Sequence, residues 1–66
     1  MDDRFFRFIV IKNGEYLVGV PYKNCVRWSN SRYDAARFYK REFALKVANR
    51  VGGRVEIINT ITGVIV

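Results

Sequence analysis

The chain has 66 residues, half of them hydrophobic, with one Trp, four Tyr and five Phe. Twelve Lys and Arg against six Asp and Glu give a net charge of +6. This length makes one small domain, residues 1–66, with no room for a catalytic cleft between two lobes. With no histidine and one cysteine, an internal disulfide is excluded and a zinc site lacks its usual ligands. The charge suits an acidic partner, most often nucleic acid.

Residues 4–12 (RFFRFIVIK) are rich in aromatic and β-branched side chains and predict a strand. Asn13-Gly14 follows, the pair favoured by a type I′ turn because both central residues need positive φ. Residues 15–20 (EYLVGV) then form the return strand, and a two-residue loop sets the register: Lys12 faces Glu15, Ile11 faces Tyr16, Ile9 faces Val18 and Phe8 faces Gly19. One face carries Phe5, Ile9, Ile11, Tyr16, Val18 and Val20, with Arg7, and the other carries Phe6, Phe8, Val10 and Leu17. Both faces are apolar, and one helix covers only one of them.

Pro21 is expected to end the second strand, because it cannot donate to a ladder. Residues 22–24 read as a polar turn, and 25–28 (CVRW) as a short third strand or an extended edge. After the turn cluster Ser29-Asn30-Ser31, residues 34–38 (DAARF) predict one helical turn with Ser31 or Asp34 as N-cap. Phe38 is its anchor, tucked under the main helix.

Residues 40–53 (KREFALKVANRVGG) hold the clearest signal in the chain. Ala44, Val47, Ala48 and Val51 recur at the spacing of one buried helical face. Lys40 and Arg41 would fall on that face, so the helix should begin close to Arg41. Gly52 supplies a left-handed stop, and Arg50 suits the negative end of the macrodipole. Residues 54–58 (RVEII) predict a strand, 59–63 a turn, and 64–66 a brief strand or a frayed tail. The predicted fold is α+β: a small antiparallel sheet of three or four strands with one helix on one face, in the order β-β-(β)-α-β(-β).

Catalysis has little to draw on. Cys25 stands near Lys23 and Arg27, cations that favour a thiolate, but no base is offered to orient it. An enzyme using Cys25 is therefore a remote alternative, and no cofactor or metal is expected. Binding has more. Residues 22–41 interleave Lys23, Arg27, Arg32, Arg37, Lys40 and Arg41 with Tyr22, Trp28, Tyr33, Phe38 and Tyr39, the mixture that single-stranded nucleic acid uses. In a domain this small, Trp28 and Phe38 are also needed to close the core. Lys46 and Arg50, joined by Arg54, make a second basic surface on the outer helix face. The candidate binding residues are thus Tyr22, Lys23, Arg27, Trp28, Arg32, Tyr33, Arg37, Arg41, Lys46 and Arg50. The uncovered sheet face is a third surface, open to a protein partner or a homodimer unless the 21–33 loop and the C-terminal tail fold over it.

The order of these signals resembles a loose group of short proteins encoded by phages and prophages of low-GC Gram-positive bacteria. The resemblance runs from about Ile9 to Ile58: IVIKNGEYL, a Trp28-Ser29 turn, Ala35 to Phe38, Glu42-x-Ala44 through Ala48, then Gly-Gly and a Val-rich strand. Its motifs are structural. The chain departs from the group at Lys40, where Ser or Thr is commoner. The resemblance implies a phage or prophage setting in the cytoplasm of a bacterial host. The expected function is a non-enzymatic accessory protein that binds a host or defence protein through the apolar sheet face and the rim of residues 22–41, with nucleic-acid binding through the same rim as the alternative. Residues 1–4 are the wrong start for a secretory signal, and nothing approaches the ~20 apolar residues of a membrane span, so no membrane partner is expected.

Overall fold

The computed structural model of the chain describes residues 5–22 and 25–66. Four strands, β1 (Phe6–Lys12), β2 (Glu15–Tyr22), β3 (Cys25–Ser29) and β4 (Arg54–Asn59), pair antiparallel in the order β3-β2-β1-β4. Helix α1 (Arg41–Val51) precedes β4, and a 3-10 turn at Arg32–Asp34 follows β3. The α+β architecture is the one the sequence predicts.

The helix begins and ends where its residues dictate. Gly52 adopts φ 75°, and the amides of Gly52 and Gly53 both donate to the Ala48 carbonyl. This is a Schellman-type closure of the last turn. Lys12 Nζ reaches across from β1 and donates to the Val51 carbonyl at 3.0 Å, a second group spent on the helix's negative end. The start is less complete. Lys40 stands at the N-cap with extended backbone, and its side chain makes no capping hydrogen bond. A Lys40→Ser variant, which offers a hydroxyl to an orphan amide, should gain about 1 kcal/mol. In a domain of this size that raises the melting temperature by about 4–8 °C. A calorimetric melt in which Lys40→Ser and Lys40→Ala coincide would rule out a capping gain.

The helix covers the Val10 and Leu17 face. Val10, Leu17, Phe38, Ala44, Val47 and Ala48 form the main core, with Phe8, Trp28, Ala36, Val51 and Val55 packed around it. Ala44 and Ala48 are small enough to let α1 lie close to the sheet.

The hairpin opens after two residue pairs. Asn13 (φ 53°) and Gly14 (φ 78°) make the expected turn, and Lys12 faces Glu15 and Ile11 faces Tyr16. Beyond that point the predicted pairing of Phe8 with Gly19 does not form. Phe8 instead exchanges hydrogen bonds with Phe38, amide to carbonyl in both directions at 2.9 and 2.8 Å. The Ala36 amide likewise donates to the Leu17 carbonyl at 2.8 Å. Residues 36–38 therefore fill a split between β1 and β2. This also corrects the helical turn predicted at 34–38. The 3-10 turn closes at Asp34, Ala35 is extended (ψ 135°), and the backbone groups that a helix would use internally serve the two strands. Ser31 is the N-cap, accepting from the Tyr33 amide.

Pro21 does not end β2, which runs to Tyr22 and pairs there with Cys25. A register shift between Val18 and Tyr22 lets a proline sit in this strand.

The second apolar face is closed by the chain itself, so of the two alternatives the sequence leaves, an open face and one covered by the 21–33 loop and the C-terminal tail, the second holds. Ile9 (0% exposed), Ile11 and Ile58 (1%) cluster with Ala35, and Tyr16 and Ile65 pack against them. Two segments do the covering. The 3-10 turn brings Tyr33 against Gly63, where an added Cβ would stand 3.0 Å from the Tyr33 ring. The C-terminal residues pair with β4 through Ile58 and Ile65, with the Asn59 amide donating to the Val64 carbonyl and the Val66 amide to that of Ile57. The Asn59 side chain caps the intervening turn by accepting from the amides of Ile61 and Thr62. Residues 64–66 are thus tied to β4 by a single bridge at Ile65, neither a full strand nor a frayed tail.

Candidate nucleic-acid interface

The candidate residues divide among four places. Trp28, on β3 opposite Leu17, packs half-buried against the main core. Arg32 and Tyr33 belong to the turn that closes the second face. Arg32 Nε is buried without a hydrogen-bond partner, and its Nη2 lies 3.4 Å from the Tyr33 hydroxyl. Lys46 and Arg50 are exposed on the outer face of α1, and Arg41 is exposed at its first turn. Arg27 and Arg37 are exposed on the sheet face away from the helix. Lys23 lies outside the described residues, as do the side chains of Tyr22 and Cys25.

The position of Arg37 follows from strand alternation. Its neighbours Ala36 and Phe38 both pack on the helix side, so Arg37 and Tyr39 point the other way. Pairing Phe8 with Phe38 sets Arg7 opposite Tyr39 and Ile9 opposite Arg37. The Arg7 guanidinium indeed lies 4.1 Å from the centre of the Tyr39 ring, within the range of a cation–π contact. Arg7 Nη1 also donates to the Phe6 carbonyl at 2.7 Å, which fixes the plane of its guanidinium. Arg27 stands opposite Val18, beyond β2. One intervening strand places the Arg27 and Arg37 backbones about 10 Å apart.

These cations lie along the half of the molecule away from the hairpin turn. The helix runs from Tyr39 and Lys40, beside Phe8, towards Gly53, beside Ile11. Arg7, Lys40 and Arg41 therefore stand towards the end away from the Asn13-Gly14 turn, while Arg37, opposite Ile9, and Arg27, opposite Val18, stand level with the middle of β1. The positive pole of the α1 macrodipole points the same way. Glu42 is the described carboxylate in that first turn. The others are occupied or distant: Glu56 pairs with Arg54 at 3.3 Å, Asp34 accepts from Ser29 Oγ at 2.9 Å, and Glu15 lies beside the hairpin turn.

Arg7 lies outside the basic-aromatic segment that the sequence suggests, and Tyr39 belongs to that segment without being among the candidate binding residues. Arg7 is visible there as a lone charge on an apolar strand face, and Tyr39 as one ring among several. Their contact depends on the pairing of residue 38 with residue 8, which no local pattern encodes.

An open cleft of about 390 Å³ lies at the opposite end, lined by Ile11, Lys12, Asn13, Gly14, Gly52, Gly53 and Arg54. Its lining offers neither a nucleophile nor an acid–base pair, and Lys12 is spent on the helix terminus. Among the described residues no group of three or more Cys, Asp and Glu is placed to hold a metal ion. No helix among them is long and apolar enough to cross a membrane. Compared with protein-family models, curated proteins and solved structures, the chain matches no family model, no curated protein and no solved structure.

Proposed function

We propose that this protein is a non-enzymatic binding module whose ligand is nucleic acid, held at the cationic end of the sheet. The observation that carries the reading is the exposed ring of Tyr39 with the Arg7 guanidinium 4.1 Å from its centre, in a stretch of chain that also carries Arg37, Lys40 and Arg41. Charges on that end attract a phosphate backbone, and rings beside them suit bases. The resemblance to phage and prophage proteins supplies the setting, an accessory protein in a bacterial cytoplasm.

Binding of a fluorescein-labelled oligothymidylate, followed by anisotropy, tests the reading. If four or five phosphates are engaged, affinity should fall about 50- to 130-fold between 50 and 200 mM salt. Arg27→Ala with Arg37→Ala changes two exposed residues and should lower the slope of log affinity against log salt by about 1.4. Affinity that ignores salt, or a slope that the double variant leaves unchanged, would overturn the assignment.

A second reading, binding of a host or defence protein, keeps one surface. The centre of the second sheet face is filled, which leaves it little to offer. Pairing of Ile58 with Ile65 instead sets Ile57 beside Val66 and Asn59 beside Val64 on the helix side, and Ile57, Val64 and Val66 are exposed there. A contact through this apolar row, with a partner protein or a second copy, would be nearly insensitive to salt.

A further inference from the structure

We infer that the ring of Tyr39, backed by the Arg7 guanidinium, is a stacking platform for an unpaired base, so that the ligand is single-stranded nucleic acid rather than duplex. This inference rests on the nucleic-acid reading and narrows it to one class of strand.

The geometry supports it in three steps. Tyr39 is 77% exposed although Arg7 lies 4.1 Å over its ring, so one ring face is covered and the other is open. A tyrosine free on all sides loses side-chain entropy when a base settles on it; here the guanidinium already holds the ring, which lowers that cost. The surrounding charges complete the arrangement. Arg37 precedes Tyr39 by two residues and Lys40 and Arg41 follow it directly, so cations flank the ring on both sides along the chain. A base stacked on the open face would have its phosphates within reach of them, the pairing of ring and charge that single strands use.

A duplex uses this site differently. Its bases are already stacked on one another and present no free face to Tyr39. Duplex can still be held by the cations, because phosphate attraction is indifferent to base stacking. Nor does the site have the shape of a duplex reader, since α1 presents its outer face beside Glu42 and the exposed sheet end is short. The platform therefore adds affinity for single strands alone.

The experiment compares an oligothymidylate with a duplex of the same length and label, against the parent chain and three variants. Tyr39→Ala should weaken single-strand binding about 5- to 150-fold, the range for loss of one stacked base. The same change should leave duplex binding within about twofold, because no phosphate contact is lost. Tyr39→Phe keeps the ring and should restore the single-strand preference; Tyr39→Leu keeps bulk without a π face and should not. A strand carrying 2-aminopurine reports the contact directly, through quenching on the parent and recovered fluorescence on Tyr39→Leu. If the parent binds duplex as tightly as single strand, or Tyr39→Ala changes neither, the platform is wrong while the cationic site stands. If the parent retains neither probe at low salt, the nucleic-acid reading itself fails. If Tyr39→Ala abolishes retention of a protein from nuclease-treated lysate and leaves oligonucleotide binding intact, Tyr39 serves a protein partner and the platform is also wrong.

Discussion

Replacing Phe38 by alanine is expected to cost about 3–5 kcal/mol, the range for removing a buried aromatic side chain. A 66-residue domain holds roughly 3–10 kcal/mol in total. The variant should therefore melt at least 12 °C below the parent at about 4–8 °C per kcal/mol, or fail to fold. The size of the effect comes from where the ring sits. Phe38 is 6% exposed and shares the core with Val10, Leu17, Ala44, Val47 and Ala48. Its ring centre is 5.5 Å from that of Phe43, and its backbone is bonded to Phe8. Truncation thus leaves a cavity at the point where residues 36–38 hold β1 and β2 apart. Phe43 is the control, because it lies half open on the helix flank and its loss should cost far less. Phe38→Leu, which keeps most of the volume, should retain most of the stability. Equal loss from Phe38→Ala and Phe43→Ala in a urea titration would refute this account of the split sheet.

The same residues mark how far the sequence could be read. The helix, its Gly52 stop and the Asn13-Gly14 turn were legible because their signals are local: a spacing, a left-handed glycine, a pair that needs positive φ. Residues 34–38 were misread for the converse reason. Ala35, Ala36 and Arg37 are good helix formers, but the backbone of 36–38 is claimed by Leu17 and Phe8, far away in sequence. Tertiary hydrogen bonds override propensity there. The second apolar face was legible as a composition and its two covering segments as one alternative, but the contacts that decide for them, Tyr33 on Gly63 and Ile65 beside Ile58, are long-range. Of the candidate site, Arg27, Arg37 and Arg41 could be picked out by charge. Arg7 joined them only through the pairing that residue 38 imposes.

That pairing connects fold to function. A hairpin zipped along its full length would put Gly19 beside Phe8 and leave Tyr39 with no strand to lie against. Because β1 and β2 separate instead, the chain passes up between them on its way to α1. It delivers Phe38 to the core side and Arg37 and Tyr39 to the other side in three consecutive residues. The split that costs the hairpin its ladder also sets Tyr39 on Arg7.

The two glycines that close α1 should respond oppositely to substitution, since they serve different ends. Gly52 is left-handed, and a Cβ there would meet only the mobile end of Lys12, at 3.5 Å from Nζ. Asparagine visits this conformation readily, so Gly52→Asn should leave stability almost unchanged. Gly53 has no positive φ to demand glycine, but a Cβ would stand 2.9 Å from the Ile11 carbonyl oxygen and 2.9 Å from Val10 Cγ1. The valine methyl can turn aside. The oxygen cannot, because Ile11 is paired with Arg54, the residue that follows Gly53, and moving it would break the β1–β4 ladder at its end. Gly53→Ala should therefore cost about 1–3 kcal/mol, as overpacking does in a tight site, and lower the melting temperature accordingly. A Gly53→Ala protein as stable as the parent, or a Gly52→Asn protein less stable than Gly53→Ala, would mean that close approach of the helix to the sheet does not govern this corner. The expected order makes the second glycine, rather than the helix stop itself, the residue that docks α1 and β4 against the hairpin.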